Sequence, residues 1–277
     1  MGASLARSGA PVTMVVRQAT AQQHPRQLQL ESPFGNVTVP VAVCSEVPAS
    51  DVLWLTVKAT QLEPSLAALR NPGGVRAIIP LLNGIDHLSW LRARYGAERV
   101  IAATIAVESE RVAPGHIVHR SSFARLNVSS AGRTLLGSTL EDLQKIGFEC
   151  RFIDHEPTLM WSKLVFLGPF ALTTTASGRG TAEILSDPYW RDLGMACIRE
   201  ASAVAVAAGA MVNADGVIAG LAKMPGNMRS SMQKDVEQGR APELDAIAGP
   251  ILRGAERYGI DVPVTRKLLA AVEARLR

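Results

Sequence analysis

The sequence predicts an α/β protein whose N-terminal half is a doubly wound, mainly parallel sheet and whose C-terminal part is all helical. In the first half, continuous apolar runs of strand length alternate with helical segments, which is typical of strands covered by helices on both faces. From about residue 155, the apolar residues follow helical spacing instead. We therefore expect two domains, over residues 1–154 and 155–277.

The composition suits a folded protein that binds a small ligand. Of the 277 residues, 47% are hydrophobic and 19% are charged, which is enough to build the cores of two ordinary domains. The net charge of +4 is spread along the chain and only 5% of the residues are aromatic, so we expect no nucleic-acid partner. A mild positive charge is compatible with a small anionic ligand.

The cysteines and the apolar segments indicate the compartment. Cys44, Cys150 and Cys197 are far apart and form no CxxC pair, so we expect buried, reduced thiols in a cytoplasmic protein. No apolar run has the length of a membrane-spanning helix, and the first residues lack the pattern of a signal peptide. We therefore expect no association with a membrane.

The chain begins with a predicted helix over residues 2–6 and a buried strand over 12–16, which ends at Arg17. This order lacks the strand that normally precedes such a helix in a parallel sheet. Residues 27–31 and 36–39 then alternate apolar and polar side chains around a Ser-Pro-Phe-Gly segment, which predicts a β-hairpin.

The remaining strands and helices alternate regularly. Buried strands are predicted over residues 51–57, 75–82 and 100–107, with helices over 61–70 and 86–95 between them. A last strand and five helices follow, over residues 149–153, 156–176, 191–208, 214–222, 243–258 and 261–277. The alternation in the first half predicts a Rossmann-type doubly wound sheet.

Three residues lie where such a sheet binds ligands. Ligands of doubly wound sheets bind at the carboxyl ends of the strands, where Lys58 and Asn83 are predicted to lie. Gly2 stands where the last glycine of a GxGxxG loop would open the first helix, beside a pyrophosphate. One glycine alone is no motif, so this assignment depends on its spacing to the following strand.

Eight short segments form a more specific signature. They cover residues 53–59, 82–84, 114–119, 161–164, 230–232, Asp235, 242–245 and 259–263. In this order and at these separations, they resemble the ketopantoate (2-dehydropantoate) reductase family along nearly the whole chain. The resemblance implies an N-terminal Rossmann-like domain that binds NADPH and a C-terminal helical domain for substrate binding and catalysis.

The resemblance assigns roles to three residues of the helical domain. Lys163 matches the catalytic lysine, a general acid that protonates the ketone oxygen once burial has lowered its pKa. Glu243 matches the acid that binds the substrate hydroxyl, and Ser231 matches the serine that holds the substrate carboxylate. Each residue also has an ordinary structural explanation. Lys163 could be a solvated lysine on a helix, Glu243 an acid that faces a helix dipole, and Ser231 an ordinary helix serine.

The resemblance also assigns the cofactor contacts. Asn83 matches the asparagine near the nicotinamide and the substrate, and Lys58 matches a lysine beside the cofactor. Gly2 matches the end of the glycine-rich loop, and Arg17 matches the arginine that meets the 2′-phosphate. Because NAD enzymes usually carry an acid at that strand end, Arg17 favours NADPH. The alternative for Lys58 and Asn83 is that they are ordinary loop residues at strand ends. The alternative for Arg17 is an ordinary surface residue.

Two positions depart from the family. The asparagines that follow the family's lysine by four and eight positions are replaced by Leu167 and Ala171, on the same helix face as Lys163. A site that hydrogen-bonds its substrate discriminates strongly against molecules that lack the matching polar group. Loss of these two asparagine side chains should therefore change which substrate the site accepts. We therefore expect Leu167 and Ala171 to line the substrate site. Either the site accepts a more apolar 2-keto acid, or its function is impaired.

The family's first strand and most of its glycine-rich loop have no counterpart at the start of this sequence. We expect Met1 to lie inside a longer reading frame, with about ten residues of strand and turn upstream. The alternative is a genuine truncation that impairs cofactor binding. We expect no metal site, since His116 and His119 lie three apart on a predicted strand and face opposite sides.

The sequence thus predicts an NADPH-dependent reductase of a small 2-keto acid, first of all of 2-dehydropantoate to pantoate in pantothenate biosynthesis. The alternatives are a reductase of a more apolar 2-keto acid, a dehydrogenase of another hydroxy acid, and a non-catalytic protein that retains the fold. The oligomeric state is left open, with a homodimer through the helical domain as one alternative.

Overall fold

The computed structural model describes residues 1–69 and 72–276. It divides into two compact units by the density of contacts within each. The first unit consists of Met1–Val57, Gln61–Leu81 and Trp90–Asp154. The second consists of Lys58–Thr60, Leu82–Ser89 and the chain from His155 onward. Two short loops of the N-terminal half therefore belong to the second unit.

The first unit contains the strands. They are β1 (Thr13–Val15), β2 (Gln27–Glu31), β3 (Val37–Pro40), β4 (Ala42–Cys44), β5 (Ser50–Leu55), β6 (Val75–Pro80), β7 (Ala103–Ala106), β8 (Ser109–Ala113), β9 (His116–His119), β10 (Arg125–Ser129) and β11 (Glu149–Ile153). Parallel pairs join β1 to β4, β5 to β6, β10 to β11 and β2 to β9. Antiparallel pairs join β2 to β3, β7 to β10 and β8 to β9. The predicted hairpin is confirmed as β2 and β3.

Helices occur in both units, and their order along the chain agrees with the predicted change from alternating strands and helices to helices alone. They are α1 (Gly2–Arg7), α2 (Gln18–Ala21), α3 (Leu62–Ser65), α4 (His87–Tyr95), α5 (Arg133–Lys145), α6 (Glu156–Ser177), α7 (Thr181–Ser186), α8 (Pro188–Ala207), α9 (Ala214–Leu221), α10 (Ser231–Glu237), α11 (Leu244–Tyr258) and α12 (Pro263–Arg275). In its described part, the chain has no helix that is long and apolar enough to cross a membrane.

The single helix predicted over residues 61–70 is wrong. The segment forms a 3-10 turn at Ala59–Gln61, the short helix α3, and a second 3-10 turn at Leu66–Ala68. Pro64 is the third residue of α3, where an α-helix does not use the amide hydrogen that proline lacks, and 3-10 turns are frequent at the ends of such short helices. The predicted helix end at Arg70 and the break at Asn71 lie outside the described residues, as does Arg277, the predicted end of the last helix.

The core of the first unit lies against α5. Leu136, Leu140 and Leu143 follow helical spacing and pack with Leu126 and Val128 of β10. The free thiol Cys150 is also buried in this core. Such contiguous apolar burial is what holds a sheet and its covering helix together.

The second unit is held by α6, whose apolar residues meet several other helices. Trp161 and Leu164 pack with Val204 of α8 in one cluster. About two turns further on, Ala171 packs with Met232 and Ile247 in another. Because these apolar residues fix the orientation of α6, they also fix the direction of the polar side chains between them.

Candidate active site

Lys163, Asn83 and Glu243 form a continuous hydrogen-bonded relay within the second unit. The Lys163 Nζ donates to Asn83 Oδ1 at 3.0 Å. The Asn83 Nδ2 donates in turn to Glu243 Oε2 at 2.9 Å. The other carboxylate oxygen of Glu243 accepts from the backbone N–H of Ala59 at 2.7 Å. Asn83 therefore links an ammonium to a carboxylate without direct contact between the two charges.

The position of Glu243 bears on whether it is an acid that caps its helix or an acid that faces a binding site. Glu243 immediately precedes α11, yet its carboxylate makes no capping bond to that helix. It is 7% exposed and accepts from Asn83 and Ala59 instead. Because buried carboxylates need hydrogen-bond donors, these two donors account for its burial.

The loop that carries Asn83 is fixed against the first turn of α11. Gly84 has a φ of +81°, and a Cβ at this position would overlap the carbonyl oxygen of Ala246. Only glycine tolerates both the backbone conformation and this close approach. Arg253 holds the same elements together, since its Nε donates to Asp86 at 3.1 Å and its Nη1 to Asp245 at 2.7 Å.

The surroundings of Lys163 change its acidity. Burial lowers the pKa of the Lys163 ammonium from 10.5 to about 8, and the nearby carboxylate of Glu243 partly offsets this decrease. Desolvation disfavours the charged form of a lysine, whereas a neighbouring anion favours it. Near neutral pH the amine is therefore protonated, yet it gives up its proton more readily than an exposed lysine.

Lys58 forms an ion pair with Asp235, one of the residues of the family signature. The Lys58 Nζ lies 2.7 Å from Asp235 Oδ2, and Arg240 donates to the other oxygen of Asp235 at 2.8 Å. Asp235 is 5% exposed, so its two cationic partners balance a buried charge. Among the described residues, Lys58 itself bonds to Asp235 and not to the relay, whereas Ala59, the next residue, bonds to Glu243.

Sequence reasoning missed His87, which begins α4 four residues after Asn83. The side chain is buried, and its Nε2 has no hydrogen-bond partner among the described residues. Burial, and secondarily the charge of Lys163, lower the pKa of His87 to about 4. A lone histidine at a helix start carries no signal in the sequence that would have singled it out.

Ser231 and its neighbour differ in their surroundings. Ser230 is the buried residue that caps α10; its hydroxyl accepts from the Gln233 N–H at 3.1 Å and from the Thr174 hydroxyl at 2.7 Å. Ser231 is the first residue of α10 and its side chain is exposed. The structure does not bring Ser231 into the relay, and its substrate contact stays a prediction.

The two positions that depart from the family also differ from each other. Leu167 is half-buried, one helical turn after Lys163 on α6. Ala171 has no exposed surface and lies in the apolar cluster with Met232 and Ile247. Of the two, Leu167 is the side chain with surface left for a ligand.

The residues predicted to meet a cofactor lie in the first unit. Gly2 opens α1, and a Cβ there would lie 3.1 Å from Met14 Sδ and 3.6 Å from Leu28. Arg17 follows β1, is exposed, and has no ion-pair partner within the described chain. Close packing of the helix on the strand is one role of the last glycine in a dinucleotide-binding loop.

The histidines of β9 are engaged in local contacts. His116 pairs with Glu31 at 2.7 Å, and His119 contacts the hydroxyls of Ser32 and Ser121 at 2.9 and 3.0 Å. Within residues 1–69 and 72–276, no group of three or more His, Cys, Asp or Glu side chains is arranged to hold a metal.

Comparison with known proteins identifies the class of protein. Residues 1–132 match the protein family "Ketopantoate reductase PanE/ApbA", and residues 157–276 match the family "Ketopantoate reductase PanE/ApbA C terminal". The protein is thus an oxidoreductase. It belongs to the ketopantoate reductase family, which confirms the resemblance seen in the sequence motifs.

The similarity extends along nearly the whole chain. A 2-dehydropantoate 2-reductase of Caulobacter vibrioides is 29% identical over 258 residues, which cover 89% of this chain and 86% of the relative. The crystal structure of 2-dehydropantoate 2-reductase from Geobacter metallireducens GS-15 has 26% identity and a TM-score of 0.86, and the match covers 99% of this chain and 94% of that one.

A third similarity concerns the fold alone. The ternary structure of D-mandelate dehydrogenase with NADH and anilino(oxo)acetate matches with a TM-score of 0.86 at 21% identity, over 99% of this chain and 94% of the other. Together, these neighbours confirm the predicted fold class, a Rossmann-type N-terminal part followed by a C-terminal all-helical domain.

Proposed function

We propose that the protein reduces a 2-keto acid to the 2-hydroxy acid with NADPH, and that 2-dehydropantoate, the precursor of pantoate in pantothenate biosynthesis, is the first candidate substrate. We assign cofactor binding to residues 1–154, including Lys58 and Asn83, and substrate binding and catalysis to residues 155–277 together with Asn83. The relay of Lys163, Asn83 and Glu243 is the observation that carries this proposal.

Lys163 acts as the general acid in this proposal. As the ketone carbon becomes an alcohol carbon, its oxygen develops negative charge and needs a proton. A desolvated ammonium stabilises that charge and donates the proton, and the pKa of about 8 keeps Lys163 protonated near neutrality. Asn83 accepts a hydrogen bond from one of the three N–H groups of the ammonium. The other two N–H groups stay available for the substrate, and their direction is fixed by this bond.

Glu243 supports the acid and binds the substrate. Its negative charge favours the protonated form of Lys163. A carboxylate has about four acceptor positions, of which Asn83 and Ala59 occupy two, so capacity remains for a substrate hydroxyl. Ser231, exposed at the start of α10, is proposed to contact the substrate carboxylate.

The first unit contains residues that fit a dinucleotide phosphate. Gly2 allows α1 to pack closely on β1, and the exposed guanidinium of Arg17 is free to pair with a 2′-phosphate. Bound NADPH supplies the hydride. Arg17 is the reason for proposing NADPH ahead of NADH, and Lys58 is proposed as a further contact to the cofactor.

A second candidate function is the reduction of a more apolar 2-keto acid. The observation that favours it is Leu167, a half-buried apolar side chain one turn from Lys163 where the family pattern has an amide. A non-catalytic protein that retains the fold is less well supported, because desolvation of the Lys163 ammonium destabilises the fold, and such perturbed groups are concentrated at functional sites.

The experiment is an assay of NADPH and NADH oxidation with 2-dehydropantoate, pyruvate, 2-oxoisovalerate and benzoylformate. We expect turnover with at least one acid, and a loss of kcat of about 100-fold or more in Lys163→Met. Lys223→Met, an exposed lysine after α9, is the matched control and should retain full activity. No oxidation with any acid and either cofactor would contradict the proposed function.

A further inference from the structure

His87 is a buried polar side chain of the second unit that takes no part in the catalytic relay. It is 8% exposed, and its Nε2 has no hydrogen-bond partner among the described residues. His119, which is 7% exposed, provides a contrast within the same chain. Both ring nitrogens of His119 contact polar groups, with Ser32 on one side and Ser121 and the Phe123 carbonyl on the other.

An unpartnered polar atom in the interior calls for a physical explanation. Leaving a buried donor or acceptor unsatisfied destabilises the fold, so most such atoms in native proteins bind a protein group, an ordered water or a ligand. The loop cannot easily move His87 to a better place. Gly84 lies against Ala246, and Arg253 ties Asp86, the residue before His87, to Asp245.

The charges around His87 determine which ligand group would suit it. Burial lowers the pKa of the His87 ring, and the charge of Lys163 acts in the same direction. A neutral imidazole can donate one N–H, and Lys163 keeps N–H bonds that Asn83 does not take. An oxygen with full or partial negative charge is the group that could accept hydrogen bonds from both donors at once.

We propose that His87 is a substrate-binding residue whose Nε2–H donates a hydrogen bond to an oxygen of the 2-keto acid next to Lys163. This inference rests on the proposed function for the class of ligand. It adds to the relay a neutral donor from the loop that also carries Asn83. The competing explanation is an ordered water on Nε2, with His87 serving only the packing of the loop.

The two explanations differ in how stability and affinity respond to one substitution. Replacing His87 with leucine removes a buried polar atom that has no partner among the described residues, so stability should stay the same or rise. If the substrate is the missing partner, affinity falls at the same time. Replacing His119 with leucine breaks contacts on both ring nitrogens, so stability should fall while affinity in the folded protein is kept.

The experiment compares the wild type with H87L, H87Q and H119L by thermal unfolding and by calorimetric titration with oxamate, an unreactive analogue of a 2-keto acid. We expect H87L to bind oxamate about tenfold more weakly with an unchanged or raised Tm. H87Q retains a donor and should bind within about threefold of the wild type. H119L should have a lowered Tm and wild-type affinity.

Wild-type oxamate affinity in H87L, or no oxamate binding to the wild type, overturns the assignment of His87. If H87L does not fold, H87A replaces it and is judged by the same criterion. Failure of the proposed function is recognised separately, by the absence of NADPH and NADH oxidation. Oxamate binding that is lost in H87L would then still identify His87 as part of a carboxylic acid site.

Discussion

The side-chain amide of Asn83 donates a 2.9 Å hydrogen bond to the carboxylate of Glu243, 160 residues further along the chain. The same amide group accepts from Lys163 through its oxygen. Donor and acceptor of one asparagine therefore orient the Lys163 ammonium and the Glu243 carboxylate at once. Neither aspartate nor alanine at this position could serve both neighbours.

Asn83→Asp should test this relay. The substitution places a second carboxylate against Glu243, and like charges at such a distance oppose burial. We expect kcat to fall about 100-fold and the Tm to decrease. Steady-state kinetics with the best 2-keto acid and thermal unfolding measure the two effects. Asn36→Asp, in the exposed turn of the β2–β3 hairpin, is the control, and equal effects of both substitutions would speak against the relay.

Lys163→Met should stabilise the fold while it abolishes the reaction. The pKa of Lys163 is lower in the folded protein than the ordinary 10.5, so the charged amine destabilises the folded state at neutral pH. Since each pKa unit corresponds to about 1.4 kcal/mol, we expect the free energy of unfolding to rise on the order of 2 kcal/mol. Urea unfolding at pH 7 measures this change.

The sign of the pH dependence is fixed by the direction of that shift. Between pH 8 and 10.5 the unfolded chain binds more protons at Lys163 than the folded one, so the destabilisation is full below about pH 8 and disappears as the pH rises toward 10.5. The stability gain of Lys163→Met should shrink accordingly at high pH. A gain that is absent at pH 7 would mean that the amine is not desolvated.

Gly84→Ala should disrupt the loop that carries Asn83. The new Cβ would overlap the Ala246 carbonyl in a backbone conformation that L-residues rarely adopt. We expect a loss of at least about 2 kcal/mol of stability together with a loss of activity. Gly137→Ala, inside α5 with open space around its Cα, is the matched control. It should stabilise the protein by about 0.5–1 kcal/mol, as measured by urea unfolding.

Arg17→Ala should weaken the preference for NADPH. If the guanidinium pairs with the 2′-phosphate, its removal raises the KM for NADPH about tenfold and leaves the KM for NADH nearly unchanged. Arg26→Ala, another exposed arginine of the first unit, should change neither value. Parallel increases of both KM values in Arg17→Ala would show that Arg17 does not read the phosphate.

Local patterns predicted much of the fold. The hairpin of β2 and β3 follows from alternation around a turn with Gly35, and the helical second unit follows from spacing. Helix α5 was not predicted, although Leu136, Leu140 and Leu143 show the required spacing. The helix over residues 61–70 was wrong because 3-10 turns flank the four-residue helix α3, and apolar spacing over so short a segment does not distinguish the two kinds of turn.

The candidate site was predictable only in part. The family resemblance named Lys163, Asn83 and Glu243, but their order in the relay depends on tertiary geometry that no spacing contains. The same holds for Asp235, which pairs with Lys58, and for His87, whose significance lies in a missing hydrogen bond. The burial of a side chain and the lack of a hydrogen-bond partner are properties of the folded chain, which local sequence patterns do not predict.

The pH dependence of kcat in the wild type and in Glu243→Gln tests the central claim most directly. If Lys163 is the general acid, reduction should slow above about pH 8 as the ammonium loses its proton. Removing the charge of Glu243, which raises the pKa of Lys163, should move this decrease to lower pH. A rate that stays level to pH 10, or a decrease at the same pH in both proteins, would contradict the assignment of Lys163 as the acid supported by Glu243.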